Sequence, residues 1–508
     1  MATDEPRSGP SPDDPPLAAR PAPPAAQAEA LAAPPVQRAP RDAAQKERAA
    51  RWVAEGAEEG LAGDGRTGQA SFLAVLPVRD GHEGPLQTIL ETIEAEDCET
   101  NHIIPFLRLH TVHFARFVLY DARLRRHVTQ DKGAPGLLLF ATDYDGSQDA
   151  HLDEVVGVAG AGLQSIFEHC QGGPAPGAGP AAVKAYLLAH QRPSNTFYSG
   201  TRRRPVLQIR REKRLRDCIE DYLDRERDGA VLRSGDPVKI REAVRAHVFA
   251  ALPWAKDPPG PYPTAVPTAA LAGLALLVLV GLPAAAWLLF GGVVTLSVVG
   301  ALLLALLVAA LHLRMLEATD REAPRPDTLK DHTSSLAARE DQIVQNQMTS
   351  VRRIKLGRFR LTLIRLVLWA IDKVARWLQV AGTLAGIPSI HFARWFILDE
   401  GRTLVFFSNF DGSWENYLGD FIDKSAVGLT AVWSNCIGFP ATRWLVLGGA
   451  RAERQFKDYT RDSQINTAVW YSAYKTLTVS NINANSFIRL GLHGDMNAEE
   501  ARRWLLRL

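Results

Sequence analysis

Cysteine is scarce in this chain: four residues in 508, Cys98, Cys170, Cys218 and Cys436, with no CxxC pair among them. So few cysteines cannot staple a small secreted scaffold, and their spacing is not that of a zinc site, so a reducing compartment suits the sequence. A charge excess of either sign is also missing. Fifty-eight Lys and Arg against 56 Asp and Glu leave +2 at neutral pH, which gives no general attraction to a polyanion, and no nucleic-acid partner is expected. The start, MATDEPRSGPSPDDPP, lacks a basic stretch followed by an apolar run, so no cleavable signal peptide is expected there. Aromatic and β-branched residues are nearly absent from the Ala- and Pro-rich first 45 positions, which cannot offset the entropy of ordering. Residues 1–60 are expected to form a disordered tail.

The most informative absence lies in the middle of the chain. From Pro258 to Leu313, 56 residues, there is no Asp, Glu, Lys or Arg, whereas one bilayer crossing needs about 20 apolar residues. Two helices fit, Ala269–Phe290 and Val293–Leu313, joined at Gly291-Gly292 as a transmembrane hairpin within 266–314. A hairpin returns the chain to the side it left. Arg241, Arg245 and Lys256 precede it and Arg314, Arg321, Arg325 and Lys330 follow it, which by the positive-inside rule places both flanks in the cytoplasm. The expected location is the inner, cytoplasmic membrane, multi-pass, with the lipid bilayer met through residues 269–313.

What is present is a repeat. VHFARFVLYD and LLLFATDYDGS, within Val112–Ser147, return as IHFARWFILDEGRTLVFFSNFDGS over Ile390–Ser413, shortened by 12 residues. His391, Arg394 and Asp399 fall on His113, Arg116 and Asp121, and Ser408, Asp411, Gly412 and Ser413 fall on Thr142, Asp145, Gly146 and Ser147. The correspondence continues through Cys170–Pro174 and Cys436–Pro440, sets Trp444 against Tyr186, and ends at FYS, Phe197–Ser199, and WYS, Trp470–Ser472. So extended a match points to an internal duplication.

Periodicity supplies the elements. A strand from Ser71, a helix over Gly84–Ala95, strands over His113–Tyr120 and Leu137–Thr142, a helix over Gln148–His169 and a strand at Tyr186–Ala189 give the order of a ferredoxin-like unit. The second unit begins with a strand over Asn346–Ile354 and a helix over Phe359–Val380. The expected fold class is α+β: two ferredoxin-like βαββαβ repeats, residues 70–255 and 343–508, forming a pseudo-dimeric α/β barrel. The transmembrane hairpin and a polar linker, residues 315–342, lie between them.

The candidate site residues are His113, Arg116 and Asp145 in the first copy and His391, Arg394 and Asp411 in the second. Strand alternation puts His391 and Arg394 on opposite faces, so one of each His/Arg pair should point into an interior shared by the two sheets. Imidazole near neutral pH suits an axial haem ligand or an acid/base group, and equally a buried histidine bonded to the backbone. The arginines suit anion or peroxide binding, or a structural ion pair. Asp-Gly-Ser at a strand-to-helix turn suits a general acid/base at the barrel mouth, or a Gly turn with a Ser cap.

On its HFARW, SN[FY]DGS and WY motifs the second repeat resembles a family of bacterial membrane-anchored proteins, over Gln345–Gly491 closely and over Phe72–Leu223 more loosely. More distantly the duplicated architecture resembles the dimeric α/β-barrel superfamily, which includes dye-decolourising peroxidases and chlorite-dismutase-like haem proteins. That resemblance implies a Gly-x-x-Asp-Gly motif whose Asp assists peroxide cleavage. Asp145-Gly146 and Asp411-Gly412 match its end, while Thr142 and Ser408 stand where its first Gly would be. Two functions are therefore expected to compete. One is a membrane-anchored, haem-dependent, peroxidase-like oxidoreductase; the other is a non-enzymatic module binding a small molecule, a lipid or a partner at the membrane surface.

Overall fold

The structure is a computed structural model and describes residues 68–260, 273, 276–320, 329–377, 384 and 386–508. The expected N-terminal tail and residues 261–272 of the apolar segment lie outside these.

The fold is α+β, built on two four-stranded antiparallel sheets. The strands are β1 (Gln69–Pro77), β2 (Val112–Tyr120), β3 (Leu137–Asp145), β4 (Thr196–Ser199), β5 (Gln345–Arg353), β6 (Ile390–Leu398), β7 (Thr403–Asp411), β8 (Thr442–Arg443), β9 (Leu447–Gly448) and β10 (Val469–Ser472). The sheet orders are β1-β3-β2-β10 and β4-β6-β7-β5, with β8 and β9 forming a small separate hairpin. Each sheet thus takes its fourth strand from the other half of the chain. Trp470 of β10 pairs with Arg116, and Phe197 of β4 pairs with Arg394, so the two exchanges occupy the same register. The segments 70–255 and 343–508 are therefore interlocked, and neither contains a complete sheet of its own.

Both faces of the long strands are apolar because both are covered. The principal helices are α1 (Glu83–Ala95), α2 (Gln148–Phe167), α3 (Gly179–Ala189), α4 (Val206–Arg225), α5 (Pro237–Ala251), α6 (Gly292–Thr319), α7 (Arg358–Trp377), α8 (Trp414–Trp433), α9 (Glu453–Ser463), α10 (Val479–Leu490) and α11 (Ala498–Leu505). Phe72, Ala74 and Leu76 of β1 pack under Leu86 and Leu90 of α1 and Leu152, Val155 and Leu163 of α2. The same arrangement in the second sheet joins Phe406 of β7 to Ile364 and Leu368 of α7 and Leu418 and Phe421 of α8. The opposite faces meet each other: Leu73, Val118, Leu139, Val351, Phe396, Val405 and Phe407 form one buried cluster between the sheets. A helical layer of α4, α5, α10 and α11 closes around Leu215, Val244, Val248, Ile488 and Trp504.

Tyr186–Ala189, expected as a strand, is the last turn of α3. Pro180 near its start and Val183, Tyr186 and Leu187 buried at helical spacing explain why. Its counterpart is α9, which places Tyr459, not Trp444, opposite Tyr186; Trp444 lies in the turn between β8 and β9. The linker expected at 315–342 is partly helical, since α6 runs on to Thr319 and Leu329–Ala337 forms a further helix. Of the expected hairpin, α6 is long and apolar enough to cross a membrane, and only 6% of its most apolar window is buried. The segment before it is described as a π-helical turn, Leu277–Gly281, continuing into a short helix, Leu282–Phe290. It ends at Gly291, whose φ of +82° few other residues adopt.

Candidate functional site

The Asp-Gly-Ser turns end β3 and β7. Gly146 and Gly412 take φ of +89° and +78°, and the Ser147 and Ser413 hydroxyls accept the N–H of Ala150 and Asn416 to cap α2 and α8. The aspartates just before them turn toward the histidines. His113 Nε2 lies 2.9 Å from Asp145 Oδ1 and His391 Nε2 lies 2.6 Å from Asp411 Oδ1, and both imidazoles are fully buried. The second oxygens are also used: Asp145 Oδ2 accepts the Val206 N–H and Asp411 Oδ2 the Val479 N–H, each at 2.8 Å. Val206 and Val479 begin α4 and α10, the helices that follow the exchanged strands β4 and β10. Each His–Asp pair thus pins a returning helix to the half of the chain it came from.

The two pairs differ at one position. Tyr474 bonds His113 Nδ1 at 2.9 Å. With Nε2–H donating to Asp145, this nitrogen is the acceptor of the tyrosine hydroxyl. Burial, reinforced by Asp145, Asp143 and Asp411, raises the Tyr474 hydroxyl well above its ordinary range, so it keeps its proton. In the other half Thr201 stands at the corresponding position, and His391 Nδ1 finds no hydrogen-bond partner among the described residues.

A bulge between Val112 and Phe114, repeated between Ile390 and Phe392, breaks the strand alternation at the histidines. In consequence His391 does not simply share the face of Ala393 and Trp395. Its ring lies 5.3 Å from Phe114, and the His113 ring lies 5.1 Å from Phe392.

The arginines face between the sheets and reach across. Arg116 donates to Gln347 Oε1 (3.3 Å), the Met348 carbonyl (3.1 Å), Thr349 Oγ1 (3.1 Å), the Ser408 carbonyl (3.1 Å) and Asn409 Oδ1 (2.5 Å), all in the opposite sheet. Arg394 answers by donating to the carbonyls of Phe72 (3.1 Å) and Thr142 (3.2 Å), with Asp143 Oδ1 at 3.4 Å. Asn409 stands where Asp143 has its counterpart, so two guanidinium groups share one carboxylate. Burial, and then the nearby Arg394, push Arg116 down to about 9, still charged at neutral pH. Burial raises the Asp143 carboxyl against the opposing pull of Arg394 and Arg116.

The candidate residues therefore form two structures. His113 with Asp145 and His391 with Asp411 come together at strand ends, while Arg116 and Arg394 meet in the middle layer. Sequence periodicity missed Tyr474, Asp143 and Asn409. The signal for the last two was available: each is a polar residue two places before the Asp of Asp-Gly-Ser, in a strand that is apolar up to Ala141 or Phe407.

A haem does not fit these residues. Both ring nitrogens of His113 are occupied, the free nitrogen of His391 belongs to a ring enclosed by Phe114 and Tyr474, and the layer between the sheets is filled by apolar side chains and the two bonded arginines. Each oxygen of Asp145 and of Asp411 already accepts one hydrogen bond, from an imidazole or from a helix N–H. Cys170 and Cys436 are buried, which pushes their thiols up to about 12 and leaves them unreactive. No cluster of three or more His, Cys, Asp or Glu suited to a metal occurs among the described residues.

Among the described residues, two open spaces bear on a ligand. One, of about 500 Å³, lies at the edge of β5 and is lined by Glu94, Arg339, Gln345, Gln347, Thr467 and Trp470, among others. Its floor connects to the arginine layer, because Gln347 Oε1 accepts both Arg116 and Thr467 Oγ1, and Trp470 Nε1 donates to Asn409 Oδ1 at 3.0 Å. The other, a groove of about 860 Å³, lies between Arg125, His190, Arg192, Arg365 and Asp399; Arg125 is already paired with Asp399 at 2.6 Å.

One buried group beside this layer titrates. His151 of α2 stacks on Tyr144 at 3.9 Å and bonds Thr142 Oγ1 at 2.8 Å, where the other half has Tyr417 on Phe410 and Ser408. Burial lowers His151 from 6.5 to about 3. The folded state then refuses a proton that the unfolded chain accepts, so the associated stability is complete above pH 6.5 and is lost as pH falls toward 3. At pH 5 the loss is about 2 kcal/mol. His151→Tyr should flatten the acid limb of a stability–pH curve, measured by denaturant unfolding between about pH 7 and 4.5; an unchanged slope would contradict the assignment.

Fold and site together define a class: an α+β protein of two strand-exchanged antiparallel sheets with an internal polar layer, bearing an apolar helix long enough to cross a membrane. No family model, curated protein or solved structure matches the chain.

Proposed function

We propose that this protein is a membrane-tethered, non-enzymatic binding module. It is built from two duplicated ferredoxin-like units that have exchanged their last strands into a pseudo-dimeric α/β barrel. The ligand would be a small, uncharged, hydroxyl- or amide-bearing molecule held in the cavity beside β5. The cavity itself carries this reading. Its volume of about 500 Å³ lies within the range of small-molecule sites, and its polar groups are largely amides. Gln347, Thr467 and Trp470 are held in place from behind by Arg116 and Asn409. A pre-positioned polar floor of this kind orients a ligand without ordering side chains at the moment of binding.

The exchanged strands also bear on the membrane reading. The chain before the apolar segment supplies β4 to the second sheet, and the chain after it supplies β10 to the first, so both flanks lie on one side of any bilayer. If α6 crosses, our reading has the segment before it cross as well. This favours the two-helix hairpin, with both halves in the cytoplasm as the flanking basic residues suggest.

Binding is tested with uncharged polyols, amides and nucleosides titrated into the detergent-solubilised protein. A saturable change in tryptophan fluorescence is expected for at least one of them, absent in Trp470→Phe and weakened about tenfold or more in Thr467→Val, since a lost hydrogen bond of about 1.5 kcal/mol has that effect. No saturable change with any probe, or one that persists in Trp470→Phe, would remove the reading.

A further inference from the structure

The apolar helix is fastened to the body where its apolar run ends. Leu313 is the last residue of the uncharged segment and Arg314 follows it. One turn on, the buried Glu317 carboxylate accepts the backbone N–H of Trp444 (2.9 Å) and Leu445 (2.7 Å) and the Thr442 hydroxyl (3.3 Å), and pairs with Arg314 at 2.6 Å. Arg314 and the two N–H groups together compensate the buried carboxylate. Glu317 thereby clamps the β8–β9 hairpin against the base of α6.

The clamp supports an unfavourable conformation. Trp444 and Leu445 both take positive φ, +53° and +68°, a region that residues with side chains rarely adopt. What the strained turn displays is apolar. Trp444 is 47% and Leu447 49% exposed, in the run Arg443-Trp444-Leu445-Val446-Leu447. Left in water, such a tip would be an unexplained patch on a strained loop. Its position supplies an occupant: the Arg314 guanidinium carbon lies 5.7 Å from the centre of the Trp444 ring, and the interfacial layer outside the hydrocarbon is about 5–8 Å deep on each side. A ring packed on the first charged side chain after the apolar run is positioned to meet that layer, where tryptophan concentrates because its body is apolar and its N–H is polar.

We infer that the β8–β9 hairpin tip is a second membrane contact. Trp444 and Leu447 seat at the headgroup–acyl boundary of the leaflet from which α6 emerges, and Arg443, exposed beside them, reaches lipid phosphates. The helix and the hairpin then form two points of a platform that fixes the tilt of the sheets against the bilayer. This rests on the reading of α6 as a membrane helix.

The test uses the full chain in nanodiscs of phosphatidylcholine and phosphatidylglycerol, with Cys218→Ser removing the partly exposed thiol. Nitroxide labels are placed at Leu447→Cys and, as a reference in α6, at Val299→Cys. Both are expected to be relaxed more by oxygen, which partitions into lipid, than by a water-soluble nickel chelate. Brominated lipids are expected to quench the wild-type protein more than Trp444→Phe, a comparison that needs no label in the hairpin. If the Val299 label favours oxygen but the Leu447 label favours nickel, the hairpin lies in water and the inference fails alone. If Val299 also favours nickel, the membrane reading fails with it. A Leu447 label shielded from both relaxants would mean that protein, such as a second copy, covers the tip, and would equally overturn the inference.

Discussion

Arg116→Ala should lower the stability of the folded protein by about 3–5 kcal/mol, the cost typical of removing one member of a buried, hydrogen-bonded charged cluster. Its guanidinium makes five hydrogen bonds across the inter-sheet layer, two of them to the backbone carbonyls of Met348 and Ser408. Alanine leaves those acceptors buried without donors and opens a void beside Phe407, whose ring centre lies 4.7 Å from the guanidinium carbon. Lysine should recover little, because a single ammonium cannot span acceptors on two strands. Equilibrium unfolding in detergent measures the effect. A change under about 1 kcal/mol would mean that the two sheets hold together without this crossing.

Asp411→Ala should cost about 2–4 kcal/mol, and Asp145→Ala a similar amount, because each carboxylate serves two buried donors, an imidazole and the first N–H of a helix. Asp411→Asn keeps the shape but loses the charge and should fall between. The measurement separates the two ways of reading Asp-Gly-Ser. If Asp411→Ala keeps wild-type stability while abolishing some turnover, the residue is an acid/base group and not a pin. His391→Ala is expected to be milder than His113→Ala, since only His113 holds a second partner, Tyr474.

The asymmetry between the halves indicates where specialisation lies. Arginine is kept in both, but Asp143 is answered by Asn409, Tyr474 by Thr201 and His151 by Tyr417. The cavity beside β5 is a further asymmetry, with Glu94 from the first half on one side and residues of the second half on the rest. It lies against the edge strand of the second sheet, where the helix Leu329–Ala337 and the residues after it supply one wall. That wall comes from the segment that reads in the sequence as a linker.

Much of the secondary structure was legible because burial on one side or two leaves a period in the residue pattern. The paired His-Phe-Ala-Arg and Asp-Gly-Ser motifs marked matching strands and turns, and β2, β3, β6 and β7 fall where the motifs lie. The helix α3 reads as a strand because its apolar run is short, although Pro180 and the spacing of Val183, Tyr186 and Leu187 carry the helical signal. The bulges at Val112–Phe114 and Ile390–Phe392 were not legible, since an extra residue in a ladder shows only when its partner strand is known.

Local physics by itself determined the helices α1, α2 and α7 and the long strands, the Gly turns and Ser caps after Asp145 and Asp411, and an apolar segment long enough for a bilayer. Only the tertiary structure decided which strand joins which sheet, because Thr196–Ser199 and Val469–Ser472 carry no information about whether Arg116 or Arg394 will lie opposite them. That choice turns His113 and His391 into pins for the helices that follow the exchanged strands and sends the two arginines across the interior. Their roles depend on groups more than two hundred residues away in the chain, Met348 and Ser408 for Arg116 and Phe72 and Thr142 for Arg394, and periodicity within a segment does not encode a contact at that distance.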